Sequence, residues 1–201
     1  MRFITLGPIG SNHHFVLKRY LDHHGLSQFV HVNLILDFHE GAKLMADGEA
    51  DFMLQVAVHP QTATVLATYR RSIFVIDTFI SESQPMAVVC KRDVVHPKTL
   101  ALQPATRDYV NATRFDNLIN EVSVASVAQG LKDGRFEAGI TSARLVDEMP
   151  ERFRVEELIG TVDDAWIVYG RKAVANGEII GDRLGPAAMI YENMRTGVSH
   201  E

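Results

Sequence analysis

Near its start the chain reads Phe3-Ile4-Thr5-Leu6-Gly7-Pro8-Ile9-Gly10-Ser11-Asn12-His13-His14. A short apolar run ends in two glycines and a proline, and a serine then precedes an amphipathic segment. This order predicts a β-strand, a tight turn and the start of a helix that Ser11 caps. The first N–H groups of a helix lack backbone partners and the helix dipole favours negative charge there, so the junction is a candidate anion site.

Strand and helix patterns alternate along the rest of the chain, and this alternation predicts an α/β fold. The first half predicts a helix between the Asp37 cap and Gly48, and strands at residues 31–36, 52–56, 72–80 and 86–91. The second half predicts a helix that Ser123 caps, further helices over residues 104–118 and 185–194, and strands at residues 99–102, 136–140, 154–158 and 165–169.

Two segments of the chain resemble each other. Residues 47–54 and 133–140 both place Asp-Gly after an amphipathic helix and then lead into a strand. The repetition predicts two similar α/β lobes. In such a fold the ligand lies at the carboxyl ends of the strands, in the cleft between the lobes.

Composition limits the classes of partner. The 201 residues suffice for one large domain or two small lobes, and the net charge of −5 comes without a basic cluster that would indicate nucleic-acid binding. No apolar run approaches the roughly 20 residues that span a bilayer, and no secretory signal pattern is present. The single cysteine, Cys90, is typical of a reducing compartment. We therefore expect a cytoplasmic protein that binds neither nucleic acid nor a membrane.

With its elements in this order, the chain resembles the prephenate dehydratase-like family, whose catalytic domain has two lobes of the type II periplasmic-binding fold. The family's strand–Gly-Pro-x-Gly-Thr–helix opening reads here as residues 6–11, and its small-acidic-aromatic strand start reads as residues 50–52. Its Pro-containing loop, polar-capped helix and Asp-Gly turn read as residues 102–104, 123–128 and 132–136. The resemblance covers roughly residues 3 to 172 and is closest to short members such as the bacilysin-pathway prephenate decarboxylase.

This resemblance implies a ligand cleft between two lobes, with residues 1–83 plus 163–201 in lobe one and residues 84–162 in lobe two. The two lobes would form one functional unit without a regulatory domain. Family members are commonly dimers, so a homodimer is the oligomeric state that the resemblance implies. The ligand that it implies is a small anionic carboxylate.

The chain departs from the family at two places that serve dehydration. Dehydratases carry Thr-Arg-Phe on the late strand, where this chain has Asp164-Ala165-Trp166. They also carry Pro-Ile-Glu-Asn-Ser after the third strand, where residues 56–60 here read Val-Ala-Val-His-Pro. Expulsion of hydroxide requires a proton donor and a stabilised leaving group, so we do not expect ordinary dehydratase activity.

Hypotheses from different functional classes remain open. We favour a cofactor-independent lyase on a small cyclic carboxylate, similar to a prephenate decarboxylase, because decarboxylation requires only that the anion be held, water be excluded and one proton reach carbon. The alternatives are a catalytically inactive, cytoplasmic small-carboxylate-binding protein of the same fold, and a lyase or hydrolase for another dicarboxylate.

Candidate residues cluster at the predicted strand–helix junctions. Imidazole titrates near neutral pH, so the candidate proton donors are His13, His14 and His59. Polar and backbone groups at the same junctions give the candidate ligand-binding residues Gly10, Ser11, Asn12, Gln55, Gln103, Arg107, Ser123, Ser126 and Thr141. The two serine caps are equally consistent with a purely structural role, and the pattern around Arg107 favours a solvated arginine. No metal-ligand spacing, phosphate loop or dinucleotide fingerprint is present, so we expect no metal and no cofactor.

Overall fold

A computed structural model describes residues 1–182 and 184–196, which form two five-stranded sheets flanked by helices. The strands of the first sheet, in spatial order, are β2 His31–Ile35, β1 Arg2–Leu6, β3 Phe52–Val56, β10 Asp163–Gly170 and β4 Phe74–Glu82. Those of the second sheet are β7 Asn117–Asn120, β6 Thr99–Leu102, β8 Ala138–Ser142, β5 Met86–Lys91 and β9 Phe153–Gly160. The helices are α1 Asn12–His23, α2 Phe38–Ala46, α3 Thr62–Tyr69, α4 Val124–Lys132, α5 Arg144–Glu148 and α6 Pro186–Thr196. The predicted two-lobe α/β fold is confirmed.

Each sheet is covered on both faces, because successive residues of a strand point to opposite sides. In β1, Phe3 packs in the cluster on the α1 face, whereas Ile4 packs in the cluster with α2 and α3. In β5, Val88 and Val89 divide in the same way between the two clusters of the second sheet. This double coverage explains why the central strands are mostly apolar. No helix within the described ranges is long and apolar enough to cross a membrane.

The predicted internal repetition is visible in the backbone. Gly48 follows α2 with φ +82° and Gly134 follows α4 with φ +81°. The N–H groups of Asp47 and Asp133 each donate to the carbonyl four residues earlier, at 2.9 Å in both cases. The next strands are also equivalent, since β3 and β8 each have one parallel and one antiparallel neighbour. The two sheets therefore share one folding pattern.

The predicted helix over residues 104–118 is wrong. The structure has two short 3₁₀ helices, Pro104–Tyr109 and Ala112–Arg114, followed by β7. Between them Val110 is extended, and the Asn111 side chain accepts a hydrogen bond from the Thr113 N–H at 3.2 Å. Asparagine side chains that bond locally compete with the helical backbone, which explains the interruption. Helices α3 and α5 were not predicted from the sequence.

Two connections pass between the sheets side by side. The chain leaves the first sheet after β4, at Ser83, and returns to it just before β10, at Val162. The Ser83 N–H donates to the Val162 carbonyl at 2.8 Å, and the Val162 N–H donates to Ser83 Oγ at 3.0 Å. The two connections between the sheets are therefore hydrogen-bonded to each other.

Candidate functional site

The turn between β1 and α1 is fixed by hydrogen bonds of its own side chains. Ser11 Oγ donates to the Leu6 carbonyl at 2.8 Å and accepts from the His14 N–H at 3.1 Å. His14 folds back on the turn, where its Nδ1 accepts from the Gly10 N–H at 3.1 Å. Gly10 has φ +85°, a conformation that glycine adopts without strain. The structure therefore gives Ser11 and His14 structural roles and orients the first N–H groups of α1.

The start of α4 is built in a similar way. Ser123 and Ser126 form a reciprocal capping box, in which each side chain accepts from the other residue's N–H at 3.1 Å. The Thr141 hydroxyl donates to the Val124 carbonyl at 2.7 Å and ties β8 to this helix. The predicted cap at Ser123 is correct, and the free N–H groups of the first turn of α4 lie at the same cleft as those of α1.

Three connected spaces occupy the cleft between the sheets. The central pocket, of about 60 Å³, is lined by residues that include Ser11, His13, His59, Tyr109, Ser123 and Asp164. The large cavity, of about 550 Å³, is lined by residues that include Gly10, Asn12, Gln84, Ser126 and Thr141, and it shares Val122 and Ser123 with the central pocket. The side cavity, of about 320 Å³, shares His59 and Gln103 with the central pocket.

His13 lies at the base of the central pocket and is 8% exposed. Its ring packs against Phe38 and Trp166, with centroid distances of 5.3 Å and 5.1 Å. Burial, with a smaller contribution from His59, lowers the pKa of His13 to about 3. Its Nε2 accepts from the Val56 N–H at 3.4 Å, so the proton of the neutral ring is on Nδ1. No described residue accepts a hydrogen bond from that N–H.

His59 stands beside His13 at the exit of β3, with 6.1 Å between the two ring centroids. Burial lowers the pKa of His59 to about 4, although the nearby Asp37 partly opposes the shift. Its Nδ1 accepts from the Gln61 N–H at 3.2 Å, which leaves the proton of the neutral ring on Nε2. At neutral pH both histidines are therefore neutral N–H donors, and neither is the imidazolium acid that the sequence analysis expected.

Asp164 is a pocket residue that the sequence analysis missed. It is 8% exposed and lines the central pocket together with Tyr109, which reaches the pocket from the second sheet's Pro104–Tyr109 segment. Burial, and secondly the charge of Asp163, raises the pKa of Asp164. Burial and the charge of Asp164 raise the pKa of Tyr109. One signal was available in the sequence: Asp164 is two residues before the large apolar Trp166, so both share a strand face.

Gln84 was also missed, and it connects the first junction to the crossing between the sheets. Its N–H donates to Asn12 Oδ1 at 3.0 Å, and its Nε2 donates to the Gly10 carbonyl at 3.0 Å. The Asn12 side chain thus holds the crossover, while its backbone N–H remains at the start of α1.

Three predicted site residues do not line the cavities described above. His14 is bound to the turn, and Arg107 is exposed on the 3₁₀ segment, in the solvated state that its pattern favoured. Gln55 is fully buried, and its Oε1 accepts from the Tyr169 hydroxyl at 3.0 Å. Because Leu54 and Val56 face α1, the alternation along β3 directs Gln55 to the opposite side of the sheet.

The electrostatic character of the cleft differs between its parts. No lysine or arginine is present among the described residues that line the central pocket. The large cavity contains Lys132 and Arg144, and both contact Glu148, at 3.5 Å and 3.1 Å. Two cations against one carboxylate leave that end of the cleft positive. Over residues 1–182 and 184–196, no cluster of three His, Cys, Asp or Glu side chains could hold a metal ion.

Solved structures place this architecture among known folds. It is similar to the prephenate dehydratase from Arthrobacter aurescens, with a TM-score of 0.63 and 18% identity over 89% of this chain and 63% of that one. It is also similar to the prephenate dehydratase from Staphylococcus aureus, with a TM-score of 0.55 and 14% identity over 98% and 81% of the two chains. The fold is the two-lobe, periplasmic-binding-like fold.

A third similarity extends beyond dehydratases. The periplasmic VFT2 domain of Bordetella pertussis BvgS has a TM-score of 0.51 and 12% identity, over 85% of this chain and 80% of that one. The present chain spans less than two thirds of the Arthrobacter enzyme. No family model and no curated protein sequence matches the chain. At these identities the similarities show the fold alone, so the function has to be argued from the cleft.

Proposed function

We propose that the protein is a cofactor-independent lyase that decarboxylates a small cyclic carboxylate similar to prephenate. The observation that carries the proposal is the central pocket, where two imidazoles are held neutral and each keeps one N–H that no described residue accepts. Such N–H groups can stabilise negative charge that develops on a bound substrate.

The two helix starts supply the first binding element. α1 has 12 residues and α4 has nine, and both begin at the cleft with side-chain caps in place. The first turns of both helices contain backbone N–H groups that have no acceptor within the helix. They belong to Asn12 and His13 in α1 and to Val124 and Ala125 in α4. A substrate carboxylate between them would gain hydrogen bonds and a favourable dipole from both sheets.

A second carboxylate has a place at the other end of the cleft. Lys132 and Arg144 of the large cavity outweigh the charge of Glu148, so a dianionic substrate finds positive charge there. The central pocket alone is too small for a ring of this class. Because Val122 and Ser123 line both spaces, we expect a substrate to extend from one to the other.

The pocket walls favour loss of CO₂ over loss of water. Leu6, Val56 and Met86 give the central pocket buried apolar walls beside its polar groups. A carboxylate loses its localised charge as CO₂ forms, so the apolar walls beside it disfavour the reactant more than the transition state. Dehydration would require a cation or acid at the positions where dehydratases carry Arg and Glu, and this chain has neither residue there.

The second candidate is a binding protein for the same carboxylates without turnover. The absence of lysine and arginine among the described residues lining the central pocket favours it, because catalytic sites for dianions commonly use a cation near the reacting carbon. The two candidates differ in whether the bound carboxylate is consumed.

Incubation with prephenate distinguishes the candidates. We expect prephenate to disappear with release of CO₂ and without phenylpyruvate, as measured by chromatography and a coupled CO₂ assay. His59→Asn keeps an acceptor for the Gln61 N–H but removes Nε2–H, and it should lower turnover by about 100-fold. The exposed His96, changed to Asn, is the matched control and should turn over at the parent rate. Formation of phenylpyruvate, or binding without consumption, would contradict the lyase.

A further inference from the structure

The proposed lyase lacks an acid once the histidines are neutral. Decarboxylation breaks the bond between the carboxyl carbon and the ring, and its electron pair forms a new C=C bond while the π electron pair of the adjacent ring double bond moves to that double bond's far carbon. The far ring carbon must then accept a proton. His13 and His59 have pKa values of about 3 and 4, so their imidazolium forms are scarce at neutral pH. Another group in the pocket has to hold this proton.

The geometry of the first sheet brings a carboxyl group into the central pocket. β10 runs antiparallel to β3, and Trp166 pairs with Val56, the last residue of β3. Asp164, two residues before Trp166 on the same strand face, therefore lies beyond the end of β3, in the pocket that Val58 and His59 also line. It is 8% exposed, and no described residue donates a hydrogen bond to its carboxyl group.

We infer that Asp164 is the catalytic acid of the proposed lyase and delivers the proton that the ring carbon takes up as CO₂ leaves. The carboxylate that remains regains its proton from water after the product departs, so the cycle balances without an oxidant, a reductant or a cofactor. The inference rests on the proposed function and adds a residue at the position where the family carries threonine.

The surroundings of Asp164 shift its equilibrium towards the protonated form. The titratable groups around it are His13 from α1, His59 from the exit of β3, Tyr109 from the second sheet and Asp163 on its own strand. None of them is cationic at neutral pH, so no positively charged side chain among the described residues of the pocket favours the carboxylate over the acid. Burial and the charge of Asp163 raise the pKa of Asp164 for this reason.

Asp164→Asn tests the assignment, because the amide has the same shape but no proton to deliver. We expect a loss of turnover of 100-fold or more with prephenate, and a dissociation constant for prephenate within about threefold of the parent. Loss of the fold is not expected, since the change removes a buried carboxyl group that resists ionisation. Thermal unfolding above the pKa of Asp164 should show an equal or higher Tm for the variant.

Asp163→Asn provides a second test, the pH profile of turnover, which would not change if Asp164 had only a structural role. Asp163 is exposed, and its charge contributes to the raised pKa of Asp164. The parent's turnover should fall as pH rises through that pKa, because only the acid form donates. In Asp163→Asn the fall should begin at lower pH, with the maximal rate unchanged.

The outcomes separate this inference from the proposed function. If the parent consumes prephenate and Asp164→Asn does so at the same rate, the assignment of Asp164 is overturned while the lyase stands. An Asp163→Asn profile identical to the parent's would equally overturn it. A parent protein that leaves prephenate intact overturns the lyase, and the assignment falls with it.

Discussion

At the residue scale, the cleft is dominated by two histidines whose burial removes their charge. His13 is in contact with Phe38 and Trp166, and His59 is in contact with Phe38 at a centroid distance of 4.8 Å. Aromatic surroundings disfavour the imidazolium form because they cannot replace its hydration. A histidine in such a place acts as a hydrogen-bonding group of fixed tautomer rather than as a proton shuttle.

The lowered pKa of His13 predicts acid sensitivity. Between its ordinary value of 6.5 and about 3, the unfolded chain binds a proton on His13 that the folded chain does not. The contribution of neutral His13 to the free energy of unfolding is therefore fully present above pH 6.5, and it is lost as the pH falls from 6.5 towards 3. His13→Gln keeps an acceptor for the Val56 N–H, and it should reduce the loss of unfolding free energy between pH 7.5 and pH 5 by about 2 kcal/mol.

Urea unfolding at the two pH values measures this effect. The lowered pKa of His59 also makes the free energy of unfolding fall with falling pH, and this part of the decline remains in His13→Gln. His96→Gln, at an exposed position between β5 and β6, should lose as much stability as the parent. A His13→Gln variant with the parent's full decline would show that His13 is protonated in the folded protein.

At the element scale, the two helix–strand joints carry the internal repetition. Gly48 and Gly134 both end a helix with positive φ, where a side chain strains the backbone. Gly48→Ala and Gly134→Ala should each lower the free energy of unfolding by about 1–2 kcal/mol. Gly181→Ala, an exposed position with ordinary φ and nothing within 4 Å of a new Cβ, is the control and should be neutral. Unequal losses at the two joints would argue against equivalent turns.

Local signals explain how much of these elements was predictable. Ser11, Asp37 and Ser123 each cap a helix through N–H groups two or three residues away, so the sequence alone indicated where α1, α2 and α4 begin. The prediction of a helix over residues 104–118 failed because the apolar spacing there also fits a helix. In the structure, Val110 and Phe115 reach the core through extended backbone. Only packing against the second sheet decides between a helix and an extended backbone in this segment.

The candidate site was predictable only in part for a related reason. The junctions at Ser11 and Ser123 are local, and both line the central pocket. Asp164 and Tyr109 come from distant parts of the chain, and the topology of both sheets is needed to bring them together. The shifts in the histidines' pKa values also depend on burial by residues far along the chain, such as Trp166.

At the scale of the whole molecule, the mouth of the cleft is lined by exposed apolar side chains. Ile9, Leu36 and Val58 border it from the first sheet with exposures of 80%, 71% and 56%, and Val122 borders it from the second with 63%. Movement of the sheets about the crossing at Ser83 and Val162 would bring these side chains together around a ligand.

Closure predicts a negative heat-capacity change when prephenate binds, because apolar surface leaves water. Calorimetric titration at several temperatures measures it. Val122→Ser should make the change less negative, since it removes an apolar group from the rim. Ile80→Ser is the matched control: Ile80 is 77% exposed on β4 and lines none of the three spaces of the cleft, so its loss should leave the value unchanged. A heat-capacity change near zero in the parent would contradict closure.

The central claim is that the two strand–helix junctions form one carboxylate site, and a crystal structure with prephenate tests it most directly. The account predicts ligand or product density in the central pocket, with a carboxylate oxygen within about 3.2 Å of a first-turn N–H of α1 or α4 and the ring extending into the large cavity. Density confined to another surface, or a central pocket that holds only water at saturating prephenate, would contradict it.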